Sequence, residues 1–361
     1  MKISRIFCLV AFAVLASMTL LSCSCSSDHN APDNDANPSP VDPAPSALPF
    51  AKGVDMSWLT QMESEGLKFH APGSPVDGDA MQILRDTKGV NSMRLRVWVN
   101  PADRWNGIDD VMAKARRAHA LGMRLMIDFH FSDTWADPGH QSTPAAWREL
   151  DIDGLTAKVG EHVTDMLGKL KAEGITPEWV QIGNEITPGM LHPLGHIDNP
   201  ANLTRLINAG NDAVKAIFPD AKVIIHLDRG EDEWRYTNLF PKLQEHGARY
   251  DMIGMSLYPD DPTDAQPDTW KEMTDKCLAN IRNLHATYGK PIVICEVGMH
   301  YSRGDIAKKW LTYLRSECEK LGYVDGIFYW EPQAPAGYNS GYTKGCFIDG
   351  APTEALDPFK D

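Results

Sequence analysis

Residues 50–361 are predicted to form an α/β fold, a (β/α)8 (TIM) barrel built as a single domain. Three observations point there. Short β-rich runs recur eight times, amphipathic stretches of helical period separate them, and chemistry-bearing side chains collect at one end of the runs. Strands alternating with helices pair in parallel. Eight such units in about 310 residues suit a closed barrel with some lengthened loops. A doubly wound open sheet would carry a Gly-rich phosphate turn after its first strand, and "GVDMSWLTQMESEG" has no GxGxxG.

In chain order, the first run is "AKGVDMSWL" (51–59), bringing Asp55 toward its end. In the second, "SMRLRVWVN" (92–100), Arg94 and Arg96 share a face. The third, "RLMIDFHF" (124–131), delivers His130, with Asp133 just beyond. "EWVQIGNE" (178–185) is apolar until the adjacent pair Asn184-Glu185, and a Thr-Pro-Gly break follows. "KVIIHLD" (222–228) carries His226 and Asp228 on one face, read as a supporting pair. "DMIGMSLY" (251–258) ends in Tyr258, "PIVICEVGM" (291–299) holds Glu296 with His300 after it, and "VDGIFYW" (324–330) ends in Trp330. Between the runs lie helical stretches such as "GIDDVMAKARRAHALG" and "DIAKKWLTYLRSECEKLG". The opposite ends read as plain turns ("LGM", "TPE", "FPDAK", "YGKP", "GYVDG"). In such barrels the reactive face is the one at the C-terminal ends of the strands.

The first 22 residues read as a lipoprotein signal peptide: a positive "MKISR", an apolar "IFCLVAFAVLASMTLL", then Leu20-Leu21-Ser22-Cys23. Cys23 is the expected lipidation site, giving an exported lipoprotein at a cell surface or periplasm-facing membrane. Residues 23–49, rich in Ser, Asp, Asn and Pro, cannot bury enough surface to fold and read as a disordered tether. Of seven cysteines, Cys8, Cys23 and Cys25 precede the folded part. The remaining four, Cys277, Cys295, Cys318 and Cys346, could pair in three ways or stay reduced, and none has CxxC metal spacing. With net charge −14 and no Lys/Arg-rich run, nucleic acid is excluded as a main partner. Ten tryptophans and ten tyrosines suit sugar stacking or a large core equally.

A carboxylate is almost never buried unless paired or in use. Glu185 and Glu296 end the fourth and seventh strands, which lie across an eight-stranded ring from each other. Two facing carboxylates are the minimal equipment for glycoside hydrolysis, one donating a proton and the other attacking or activating water. A gap of about 5.5 Å favours retention of configuration, a wider one inversion. By alternation, if Glu296 points into the barrel mouth, Cys295 points toward the helical shell; likewise, if Trp330 points in, Glu331 points away.

The motifs "KGVDMSWL", "RLRVWVNP", "DFHFSDTWADPGHQ", "WVQIGNEI", "ICEVGMHY" and "GIFYWEP" together resemble those of glycoside hydrolase family 53, the arabinogalactan endo-β-1,4-galactanases, over Lys52 to Pro332. The resemblance implies a retaining enzyme that cuts the galactan side chains of pectin, with Glu185 as acid/base and Glu296 as nucleophile. It further implies substrate contact by Asn184, a hydrogen bond from Tyr258 to the nucleophile, and Trp330 beneath the sugar at the cleavage point. Arg96 is the expected strand-two arginine beside Glu296, with Arg94 one layer deeper as its competitor. His130 and Asp55 are expected to line the site, whereas Trp98, Trp135, His300 and Tyr301 each suit subsite lining and packing equally. Asn184 and Glu185 can both serve only if the strand bends between them. Some bacterial members carry a calcium loop after the nucleophile strand, but here "EVGMHYSRGDIAKKW" runs straight into a helix, so neither a required metal nor any cofactor is expected. The expected partners are the polysaccharide and, through Cys23, a membrane, and the expected state is a monomer. The weighed alternatives are a clan relative acting on mannan, xylan or glucan, and a non-catalytic glycan-binding lipoprotein on the same barrel.

Overall fold

A computed structural model describes residues 48–259 and 265–360. The predicted signal segment, Cys23 and all of the tether up to residue 47 lie outside the described residues, as does part of the acidic stretch after the sixth strand. Eight parallel strands close into a barrel in chain order: β1 (Ala51–Asp55), β2 (Ser92–Val97), β3 (Arg124–Phe129), β4 (Trp179–Ile182), β5 (Lys222–Leu227), β6 (Met252–Leu257), β7 (Ile292–Val297) and β8 (Val324–Trp330). Two helices, α1 (Leu59–Ser64) and α2 (Ala80–Lys88), fill the first crossover. One each fills the others: α3 (Ile108–Ala120), α4 (Ile152–Ala172), α5 (Pro200–Ile217), α6 (Glu233–Glu245), α7 (Thr269–Tyr288) and α8 (Gly304–Leu321).

Local chemistry sets the helix ends. The Asp79 carboxylate accepts from the Met81 and Gln82 amides at the start of α2. The Asp151 carboxylate accepts from the Gly154 amide at the start of α4. The last residues of the chain form a 3-10 turn (Glu354–Phe359) whose Leu356 and Phe359 are buried and whose Asp357 takes Lys88 Nζ at 2.7 Å.

Two separate apolar cores follow from the strand period of two. Met93, Leu95 and Val97 of β2 and Ile292 and Ile294 of β7 face outward into the large core shared with the helices. A small inner core of Ala51, Met126, Trp179, Ile224, Met252, Val293, Cys295 and Phe328 fills the barrel axis. Above that plug the inward positions become polar: Asp55, Arg94, Asp128, Gln181 and His226 are all essentially inaccessible to solvent. The plug makes a dry floor, and the polar layer on it carries the site.

Cys295 therefore corrects the expectation from alternation. It packs inside the barrel, with Glu296 beside it at the mouth, because the β6–β7 register slips: Met255 pairs with Ile294, but Ser256 pairs with Glu296. The extra residue is Cys295, and the bulge rotates Glu296 inward while Val297 returns to the shell. Gly254 makes room for it, since a Cβ there would lie 2.7 Å from Cys295 Sγ. Among the described residues Cys277, Cys295, Cys318 and Cys346 are all buried free thiols. Of the states left open by the sequence, the unpaired one is found.

Candidate active site

The polar layer is organised by Arg94. Its guanidinium touches three carboxylates at 2.8 Å each, Asp55 Oδ2, Asp128 Oδ2 and Glu296 Oε1. It also donates to Asn184 Oδ1 at 2.8 Å and to Gln181 Oε1 at 3.3 Å. One cation among three anions cannot neutralise them, so the layer keeps an anionic surplus beneath the cleft. Arg94 thus takes the place expected for Arg96. From one pleat deeper its long side chain rises along the barrel axis to the strand ends, whereas Arg96 overshoots them.

Arg96 instead donates to Glu331 Oε1 at 2.6 Å. Its guanidinium lies 4.4 Å from the Trp135 ring centroid, 5.2 Å from Trp58 and 5.6 Å from Trp98. Its Nε and Nη2 have no hydrogen-bond acceptor among the described residues, because aromatic faces surround it. Glu331 is fully buried, and its φ of +43° turns it back toward Arg96 and the Trp58 amide rather than outward to the shell. Burial pushes its carboxyl up to about 7 against the pull of Arg96.

Glu185 and Glu296 share one cleft of about 760 Å³ at the C-terminal ends of the strands. Its wall includes Trp58, His130, Trp135, Asn184, Asp228, Arg229, Ser256, Tyr258, Trp330 and Tyr342. The strand bend needed by Asn184 and Glu185 is present: β4 stops at Ile182, Gly183 takes φ +83°, and Glu185 takes φ +46°. A side chain at Gly183 would meet Ile186 Cγ2 at 2.5 Å, so the bend requires glycine.

The two carboxylates have unequal surroundings. Glu296 accepts from Arg94 through Oε1 and from the Tyr258 hydroxyl through Oε2 at 2.9 Å. Glu185 is half-buried and, among the described residues, accepts from one group, the Ser256 hydroxyl, at 2.6 Å. Desolvation and then the Glu296 charge hold Glu185 well above the usual carboxylate range; Ser256 and Arg94 only partly offset this. Desolvation raises Glu296 as well, but Arg94 and the Tyr258 hydroxyl pull it back. The first proton therefore settles on Glu185, and Glu296 is the better anion.

Other expected residues separate into lining and supporting ones. His130, Asn184, Tyr258, Trp135 and Trp330 reach the cleft. Asp55 does not: it is wholly buried under Arg94, with its other oxygen held by the Ser57 amide and hydroxyl. Its place at the end of β1 is right, but the loop after β1 closes over it. Trp98 packs behind Trp135 and donates to His130 Nδ1, while His300 and Tyr301 do not line the cleft, the Tyr301 amide donating to the carbonyl of the lining residue Thr343. Asp133 accepts from the Ala145 amide. Asp228 lines the cleft and pairs with Arg235 at 3.0 Å. Sequence reasoning overlooked Ser256, Gln181 and Asp128, although Ser256 shares a face with Tyr258 and Asp128 with His130. Tyr342, from the irregular segment after β8, left no periodic signal; its hydroxyl meets the Trp330 carbonyl.

A closed (β/α)8 barrel holding two carboxylates of unequal basicity beneath an aromatic wall defines the class of carboxylate-dependent glycoside hydrolases. The chain belongs to glycosyl hydrolase family 53, whose family model matches residues 51–323. It is 34% identical over 304 residues to an arabinogalactan endo-β-1,4-galactanase of Thermothelomyces thermophilus, covering 78% of this chain and 89% of that one. A similarly named protein of Humicola insolens is also 34% identical, over 306 residues, with coverage of 78% and 89%. Among solved structures, a fungal β-1,4-galactanase superimposes with TM-score 0.77 at 30% identity, covering 86% of this chain and 98% of that one.

Proposed function

We propose that this protein is a retaining endo-β-1,4-galactanase acting on the galactan side chains of pectin, with Glu185 as acid/base and Glu296 as nucleophile. The substrate reading is supported by the galactanase names of the relatives. The roles are supported by the asymmetry of the pair: Glu296 is held as an anion by Arg94 and Tyr258, and Glu185 keeps the proton.

In the first step Glu296 attacks the anomeric carbon while Glu185 gives its proton to the departing glycosidic oxygen. A covalent glycosyl ester on Glu296 and an ionised Glu185 remain, and the departing part of the chain leaves with the proton. In the second step Glu185, now ionised, takes a proton from water as the hydroxyl attacks the anomeric carbon and frees Glu296. Trp135 and Trp330, both partly exposed in the cleft, offer apolar ring surface for stacking on sugars, and the buried Trp58 backs them.

The test is reducing-sugar release from galactan, mannan, xylan and glucan by the wild type, Glu185→Gln and Glu296→Gln. Galactan should be preferred, and each variant should lose at least about a hundredfold in kcat. Preference for another glycan, or wild-type turnover in both variants, overturns the reading. We further propose export and anchoring through a lipid on Cys23, a reading supported by the Leu20-Leu21-Ser22-Cys23 motif and the tether composition.

A further inference from the structure

A chain of four hydrogen bonds runs inside the barrel from the arginine under Glu296 to the carboxyl of Glu185. Arg94 Nε lies 3.3 Å from Gln181 Oε1, and Gln181 Nε2 lies 2.8 Å from His226 Nδ1. His226 Nε2 lies 2.9 Å from Ser256 Oγ, which lies 2.6 Å from Glu185 Oε1. Gln181 and His226 are fully buried and Ser256 nearly so, which shields the chain from competing water.

The sense of the bonds is set by the arginine at one end and by the His226 tautomer in the middle. Arginine only donates, so the Gln181 oxygen must face Arg94 and its NH2 must face His226. Two groups meet Nδ1, the Gln181 NH2 at 2.8 Å and Asn184 Oδ1 at 3.0 Å; the Asn184 oxygen is already taken by Arg94, so we assign the shorter contact as the hydrogen bond, with the lone pair on Nδ1 and the hydrogen on Nε2. Nε2–H then donates to Ser256 Oγ, leaving the hydroxyl hydrogen to point at Glu185 Oε1. His226 stays neutral, since burial and then the nearby Arg94 charge hold it well below its usual range.

We propose that Ser256, backed by His226 and Gln181, is a positioning residue that reserves Oε1 of Glu185 as a permanent acceptor and so confines the transferable proton to Oε2. Oε2 has no hydrogen-bond partner among the described residues, and Glu185 lines the cleft. No proton travels along the chain; the same hydroxyl bond serves Glu185 protonated and ionised, and its donation stabilises the ion that forms when the proton leaves. The charged and titratable groups around Glu185 are Glu296 on β7, Asp228 beyond β5, Arg94 on β2, and Tyr258 and Tyr236. Around His226 they are Arg94, Asp128 and His130. None of these donates to Glu185, so Ser256 is the direct lever on its acidity.

This inference rests on Glu185 being the acid/base, and the test separates the two. Wild type, Ser256→Ala, Ser256→Thr and Glu185→Gln are assayed on β-1,4-galactan and on a 2,4-dinitrophenyl β-galactobioside, whose leaving group needs no proton. For Ser256→Ala, kcat/KM on galactan should fall roughly five- to tenfold while the aryl substrate changes less than about twofold. Its alkaline limb on galactan should move up by about one pH unit, because the ion has lost its donor. Ser256→Thr, which keeps the hydroxyl, should restore both. A folded Ser256→Ala with equal losses on both substrates, or with an unmoved alkaline limb, overturns the proposal. Should alanine fail to fold, Ser256→Cys, a weaker donor, is held to the same two criteria. Glu185→Gln must itself show the leaving-group split; if it does not, the acid/base reading fails and this inference with it, whereas a split in Glu185→Gln with none in Ser256→Ala overturns this inference alone.

Discussion

At the scale of single residues, the proposed chemistry turns on two glutamates whose surroundings differ. On the proposed roles, bond cleavage needs Glu185 protonated and Glu296 ionised, so kcat/KM on galactan should be bell-shaped in pH. Its alkaline limb reports Glu185 and its acid limb Glu296. Both carboxyls are raised, Glu185 further, so the acid limb should lie above the ordinary glutamate value of about 4.3. Stability carries the matching sign. The folded state keeps the Glu185 proton to higher pH than the unfolded chain, so its contribution is lost as pH rises from the ordinary range through the raised value. Glu185→Gln has no such loss, and its melting temperature should fall less with rising pH than that of wild type, measured from pH 4 to 8. A steeper fall would contradict the assignment of the raised carboxyl. Glu185 and Glu296 were legible in sequence because a carboxylate closing an apolar strand has few uses. The choice between Arg94 and Arg96 was not, because both share one face and only the depth of the layer decides which reaches Glu296.

At the scale of strands and loops, the site depends on places where alternation breaks. A bulge at Cys295 turns Glu296 inward. Left-handed residues just past β3, β4, β5 and β8 (Phe131, Glu185, Arg229 and Glu331) redirect the chain there. No strand period predicts a bulge or a non-glycine residue at positive φ, so the inward Cys295 and the back-turned Glu331 were hidden while the strands themselves were clear. Glu331 and Arg96 form a buried pair behind the tryptophan wall, with Glu331 also holding the Trp58 amide. Glu331→Ala should cost about 3–5 kcal/mol in denaturant unfolding, because it strands a buried guanidinium. The paired change Arg96→Met with Glu331→Leu should recover most of that loss. A loss below about 1 kcal/mol for the single variant would show that the pair is not the buttress described.

At the scale of the whole molecule, the barrel divides labour along its axis. An apolar plug seals the floor, a buried ionic layer stands on it, and an aromatic-walled cleft opens above. The eightfold alternation and the polar strand ends made this architecture readable from sequence, because each repeat must bury a strand on both faces. The late wall residue Tyr342 comes from irregular chain that no period describes. If the lipid-anchor proposal holds, Cys23→Ser should move the protein from the membrane to the soluble fraction with kcat/KM unchanged; retention in the membrane fraction would refute it. The central claim is double displacement by Glu185 and Glu296 on β-1,4-galactan, and the anomeric outcome tests it most directly. Proton NMR of early galactan hydrolysis should show the β-hemiacetal first, with the α form growing only by mutarotation. An α-anomer appearing first would mean inversion and would contradict the account.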